Sequence, residues 1–327
     1  MATSAAVLAL GELLIDFVAT ERGSGLGDVT TFVRAPGGAP ANVAVGVARL
    51  GVASGFIGKV GDDPFGHHLA EVLRSEGVDV SQLRFEAAAR TALAFVSLSP
   101  SGERDFMFYR HPSADMLHHP DELDAAAIGA ARVLHVGSIS TISEPAASAT
   151  RRAIELAHGA GVLVSYDPNL RLPLWPSAAA AATGMRALWG DADVIKVSDE
   201  ELHFLTGRDD LVAARSLWTP RLRLMLVTRG AEGVSYLLPT GEGHVPGFLV
   251  EVADTTGAGD AFTAAVLAAL VEEPTLCDDK GGLERALRYA NAYAALTTTQ
   301  RGAIPAMPSR ARVEAFLAEH PDGQHVV

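Results

Sequence analysis

Apolar runs rich in branched residues recur along the chain at Val7 to Ile15, Arg132 to Val136, Val162 to Tyr166, Val194 to Val197 and Leu224 to Thr228. Short and continuously apolar, they predict parallel strands buried on both faces. Between them, Ala39 to Leu50, Pro145 to His158 and Asp199 to Leu205 return apolar residues at helical spacing. This alternation predicts right-handed βαβ crossovers and an α/β fold: a doubly wound, mostly parallel sheet flanked by helices. Two Ala-rich helices, Gly259 to Glu272 and Gly282 to Thr298, close the chain, and the short Ala-rich stretch Ser177 to Thr183 also fits helix propensity.

Two stretches break the pattern. Asp28 to Arg34 reads as a strand, and Thr91 to Arg110 alternates around the turn SPSGE like an antiparallel hairpin. Either they form a small β-sheet projecting over a crevice, or they extend the edge of the main sheet; periodicity alone does not separate the two. On the first reading residues 1–327 form a single domain with a lid inserted at about residues 16–36 and 90–112.

Composition narrows the classes. The 327 residues give 26 Lys and Arg against 39 Asp and Glu, a net charge of -13, so nothing favours nucleic-acid or anionic-membrane binding. The single cysteine, Cys277, excludes an internal disulfide and suits a reducing cytoplasm. The apolar N-terminus reaches Glu12 and Asp16 too early for a signal peptide, and no apolar run is long enough for a membrane span.

The run DTTGAGDAFTAAVLAAL, from Asp254 to Leu270, places Gly257, Ala258 and Gly259 at a helix entrance. Small residues there let phosphate oxygens approach the unpaired N–H groups and the positive dipole end, so residues 257–259 read as an anion hole. Asp260, in the first turn, is placed to accept a proton from an attacking hydroxyl. The helix dipole is expected to lower its pKa. A second Gly-rich helix entrance, GGAPANVAVG, spans Gly37 to Gly46.

These two regions, in this order, resemble the signatures of the ribokinase-like (PfkB-type) carbohydrate kinases, and the resemblance covers nearly the whole chain. GELLIDF at Gly11 to Phe17, GKVGDDPFG at Gly58 to Gly66, FYRHPSADML at Phe108 to Leu117 and KVSDEE at Lys196 to Glu201 are similar to runs in the family's fructokinases. The resemblance implies ATP and a small-molecule sugar as ligands, with Asp260 as base. It implies that Asp16, Gly37, Gly38 and Asn42 bind the sugar and that Arg110 and Arg171 reach it from opposite sides. Without it, Asp16 reads equally as a loop cap and the arginines as surface ion pairs.

The same resemblance implies that Lys196, Thr228, Gly230, Gly233 and Asn291 surround the nucleotide. It also implies that Glu201 organises Mg2+ through water, although Ser198 replaces the family's usual Asn, and that Asp254 and Thr256, with carbonyls near Gly302, bind a monovalent cation such as K+. A homodimer paired through the lids is a further implication. The adjacent histidines His67, His68, His118 and His119 lack i, i+4 spacing and read as surface residues. Rival functions are a 2-keto-3-deoxygluconate kinase, whose carboxylate the two arginines suit, and a non-catalytic sugar- or nucleotide-binding protein.

Overall fold

A computed structural model describes residues 5–23, 25–98 and 104–321. Its strands are β1 (Val7–Leu10), β2 (Leu14–Arg22), β3 (Phe32–Gly37), β4 (Ser54–Gly61), β5 (Leu83–Glu86), β6 (Leu93–Leu98), β7 (Arg104–Tyr109), β8 (Val133–Gly137), β9 (Leu163–Asp167), β10 (Val194–Ser198), β11 (Leu224–Thr228), β12 (Gly233–Leu238) and β13 (Gly241–Pro246). The helices are α1 (Ala39–Arg49), α2 (Pro64–Ser75), α3 (Ala125–Ala130), α4 (Ala146–Gly159), α5 (Ala178–Arg186), α6 (Asp199–Thr206), α7 (Leu211–Ser216), α8 (Ala258–Glu272), α9 (Lys280–Thr298) and α10 (Arg310–Glu319).

Among the described residues, nine strands form a sheet in the order β13-β12-β11-β10-β9-β8-β1-β4-β5. Neighbours from β11 to β5 run parallel, and β12 and β13 add an antiparallel edge. Alternate side chains serve two cores, which is why these strands read as continuous apolar runs. On β11, Leu224 and Leu226 pack with α1, α8, α9 and α10, whereas Met225 and Val227 pack with α4 to α7 on the opposite face. The chain passes from β1 to β4 on one side and later places β8 on the other. Parallel strands are thus wound both ways from β1, and the crevice beyond their C-terminal ends is the expected ligand site of such a sheet.

The two stretches that broke the pattern belong to a separate, smaller sheet, ordered β3-β2-β6-β7, which decides between the alternatives left open by periodicity. The hairpin expected between Thr91 and Arg110 is β6 paired antiparallel with β7, and its turn SPSGE lies outside the described residues. Two boundaries differ from the sequence reading. Val7 to Ile15 is not one strand: the chain leaves the main sheet at residues 11–13, and Leu14 begins the small sheet by pairing with Gly37. Both halves are apolar because both are buried, so composition hides the break. Within Asp28 to Arg34, residues Leu26–Asp28 form a single 3-10 turn and the strand starts only at Phe32.

The histidines also divide. His67 is exposed, but His118 is buried beside the Lys59–Glu122 ion pair, and burial pushes its imidazole down to about 4. No described helix is long and apolar enough to cross a membrane.

α1 and α8 pack closely because Gly46 presents no side chain: a Cβ there would stand 2.6 Å from that of Ala264. Gly46→Ala gains roughly 1 kcal/mol of helix propensity but overpacks a rigid contact at a cost of about 1–3 kcal/mol. Chemical denaturation of this variant is expected to show a lower midpoint; an unchanged or higher one would mean that the helices separate freely.

Candidate functional site

A cavity of ≈ 770 Å³ lies between the C-terminal ends of the main strands and the small sheet. That volume is in the range of small-molecule sites, about 300–1,000 Å³. The roof follows from strand alternation. Leu14, Asp16, Val18 and Thr20 of β2, Val96 of β6 and Phe106 and Phe108 of β7 line the cavity. Phe17 and Phe95 face away, stacked at 5.1 Å, and Phe17 meets Phe65 of α2 edge-on. Asp16 lies against Gly37 so closely that a Cβ at Gly37 would be 2.2 Å from its Oδ2, and a Cβ at Gly38 would be 2.4 Å from the Glu12 carbonyl.

The floor is built by the first turns of α1 and α8. Asn42 Nδ2 donates to Asp260 Oδ2 at 2.8 Å, joining the two glycine-rich regions across 218 positions of sequence. Gly257, at φ 79°, opens α8, and a Cβ there would be 2.6 Å from Ala303. Burial at the cavity floor pushes Asp260 up to about 6; Asp167 pushes the same way, while Asn42, Lys196 and Arg171 oppose. The lowering expected from the helix dipole is therefore outweighed: removing water from a carboxylate costs more than one helix end returns.

Lys196 lines the cavity, with Nζ 3.2 Å from where a Gly259 Cβ would sit. It donates to Asp167 Oδ2 at 3.0 Å, which also accepts from Thr263 Oγ1 at 3.3 Å. Burial alone would lower the ammonium's pKa, but Asp167, Glu201 and Asp260 outweigh it and hold the group charged. Asp167 Oδ1 and Asn42 Oδ1 are buried without a hydrogen-bond partner from the protein.

Arg171 lines the cavity and stacks over Phe106 of the small sheet, 5.8 Å from the ring centre. Arg110 is placed differently. It is buried in an ion pair with Asp115, beside Glu12, and is not among the cavity's lining residues.

Glu201 accepts from Ser198 N at 2.8 Å and Leu170 N at 2.7 Å, so it caps α6 and ties down the loop that carries Arg171. Asp254 Oδ1 accepts from the N–H and hydroxyl of Thr256, and its Oδ2 from Gly302 N at 2.9 Å, bringing the three residues together at the cavity edge. Thr228 ends β11 beside Ser198 of β10. Gly230 and Gly233 follow at positive φ, and Asn291 donates to the carbonyls of Val245 and Pro246. These four lie outside the cavity lining, along the same sheet end as Lys196.

Sequence reasoning missed Glu12, Asp167, Asn169, Ile139, Phe106 and Phe108. Asp167 and Asn169 stand in DPNLR at the C-terminal end of a parallel strand, a position that alone marks a crevice residue. The two phenylalanines needed only the alternation of the hairpin, read two residues at a time.

The model of the pfkB family carbohydrate kinases matches residues 4–310. The chain belongs to this family. A probable fructokinase-4 of Arabidopsis thaliana is 52% identical over 313 residues, covering 95% of this chain and 96% of that protein. Among solved structures, a fructokinase with bound ATP from Xylella fastidiosa superposes with a TM-score of 0.89 at 37% identity, covering 97% of this chain and 99% of that one. A Vibrio cholerae O395 fructokinase in a fructose-, ADP- and calcium-bound form gives 0.84 at 36% identity, covering 96% and 99%. Membership makes the chain a phosphotransferase that uses ATP and acts on a sugar hydroxyl, and the ribokinase-like expectation for the fold holds.

The raised pKa of Asp260 has a thermodynamic cost. A carboxyl that titrates near 3.8 unfolded and about 6 folded favours the native state below pH 4, and that stability is lost as pH rises through 6. Asp260→Asn is therefore expected to be more stable than the parent at pH 8, by about 1–2 kcal/mol after discounting for solvent access. Thermal unfolding at pH 8 and pH 4 checks this; a gain that does not shrink toward pH 4 would assign it to something other than charge burial.

Proposed function

We propose that the chain transfers the terminal phosphoryl group of ATP to the 6-hydroxyl of D-fructose, with Asp260 as the base. The observation that carries this reading is the joint floor of the cavity. The sugar-side residue Asn42 and the helix entrance at 257–259 meet at one half-buried carboxylate, in a chain half identical to proteins named fructokinases.

In this reading the sugar lies under the small sheet, with its hydroxyls shared among Asp16, Gly37, Gly38 and Asn42, and Arg171 supplies the cation beside it. The O6 oxygen attacks the γ-phosphorus, the bond to the β,γ-bridging oxygen breaks, and ADP leaves. The O6 proton passes to Asp260, which is charged at pH 7 because its raised value still lies below neutrality. Negative charge on the transferring group meets the first-turn N–H groups of α8 and the Lys196 ammonium. Thr228, Gly230, Gly233 and Asn291 form the strip along which the nucleotide extends.

Asp167 and Glu201 would organise magnesium through water, and the ion would supply charge neutralisation to the phosphates. The donor set suits an ion that keeps its waters: Asp167 Oδ1 is unpartnered by the protein and Glu201 already accepts two backbone bonds. Asp254, Thr256 and the Gly302 loop are the place for K+. Exposed Met107 and Tyr109 on the outer face of the small sheet support pairing of two copies through their lids, and a cytoplasmic location fits the free cysteine. The keto-acid alternative needs two arginines on one carboxylate, and Arg110 is committed to Asp115.

A panel of sugars assayed for ATP-dependent phosphorylation with magnesium and potassium tests the substrate. Fructose is expected to lead; turnover of 2-keto-3-deoxygluconate without turnover of fructose would overturn the assignment. Asp260→Asn should lower kcat by about 10³-fold or more while nucleotide binding persists, and kcat/KM of the parent should fall below about pH 6, where Asp260 becomes protonated. Near-parental turnover of Asp260→Asn would remove Asp260 as the base.

A further inference from the structure

Glu12 belongs to neither sheet. It lies between the end of β1 and the start of β2, where the chain leaves the main sheet for the small one, and it is buried at 3% exposure. Its Oε1 accepts from the N–H of Ala39 at 3.0 Å. Ala39 is the first residue of α1, and the residue before it, Gly38, has no side chain with which to cap the helix. The segments are held together elsewhere too: Gly11 packs on Pro40, and Gly38 on the Glu12 carbonyl. One turn further along α1, Asn42 donates to Asp260.

We infer that Glu12 is a positioning residue for phosphoryl transfer: it stands in for the missing N-cap of α1 and so fixes Asn42 against Asp260. The physical basis is that an anionic or hydrogen-bonding group supplied to an orphan first-turn N–H holds a helix start in place. Supplied from the strand connection, the same group also ties the root of the small sheet to the floor of the cavity. Arg110, which follows β7, and Asp115 face the Glu12 carboxyl from another of the connections between the sheets. Burial pushes Glu12 up to about 7, Arg110 opposing; Glu12→Gln removes the charge and keeps the acceptor.

The inference rests on the reading of Asp260 as the transfer site. Glu12→Ala in the full-length protein should lower kcat about 10- to 100-fold, the cost of a misplaced reacting group, with KM for ATP unchanged. Asp260 is faced by Asp167, Lys196, Arg171 and Asn42, and the Asn42 hydrogen bond lowers its pKa. Loss of that hydrogen bond should therefore move the acid limb of kcat/KM to higher pH. Glu12→Gln, which keeps an acceptor for Ala39, should recover most of the rate and return the acid limb.

A double-mutant cycle with Asn42→Ala supplies the decisive readout, since a residue acting through Asn42 gives strongly non-additive losses. Additive losses, an acid limb unmoved in Glu12→Ala, or equal impairment of the Ala and Gln variants would overturn the inference. If instead Asp260→Asn keeps near-parental turnover, the reading of the transfer site fails first, and the two failures are told apart.

Discussion

One hydrogen bond, from Asn42 to Asp260, concentrates the constraints on this molecule. It exists only because α1 and α8 approach closely enough to bring their first turns to the same point, and that approach depends on Gly46 meeting Ala264 without an intervening side chain. Both helices lie on the same face of the main sheet, pressed there by the core that includes Val43, Val47, Phe262 and Val266. Apolar burial thus supplies the force, and the absence of side chains at a few glycines sets the geometry. The site inherits its precision from packing remote from the ligand.

The electrostatics of the cavity follow from the same enclosure. Asp260, Lys196 and Asp167 are close to one another where water is scarce: Asp167 raises the pKa of both Asp260 and Lys196, and Lys196 lowers that of Asp260. A carboxylate raised by burial and restrained by an asparagine and two cations sits just below neutrality, which is where a base working at pH 7 is most useful. The Lys196–Asp167 pair keeps a positive charge beside Gly259, and Gly259 leaves room for it.

The small sheet closes the cavity with a division of labour set by strand alternation. Even-numbered residues of β2 turn toward the cavity, while Phe17 and Phe95 form an aromatic cluster on the outer face that reaches Phe65 of α2. Phe106 meets Arg171 across the opening, so roof and floor touch through a side chain each. The cis X-Pro bond His111–Pro112 lies where the small sheet returns to the main domain, beside the buried Arg110–Asp115 pair.

Much was legible in the sequence because it depends on local rules. Continuous apolar runs marked the interior parallel strands, since burial on both faces favours apolar side chains, and DTTGAGD marked a helix entrance with a carboxylate in its first turn. What needed tertiary structure was whatever arises between distant segments. Val7 to Ile15 looked like one strand because both sheets bury apolar residues, and only packing shows the chain changing sheets at Glu12. Arg110 looked free to reach a ligand until Asp115 appeared beside it. The pKa of Asp260 was read from its own helix, which lowers it, whereas burial in the assembled cavity, with Asp167 at the end of β9, raises it against the opposing Asn42 of α1 and Lys196 of β10. Local sequence sets which groups are present and the conformations their backbones accept; desolvation and ion pairing depend on neighbours that only the folded chain brings together.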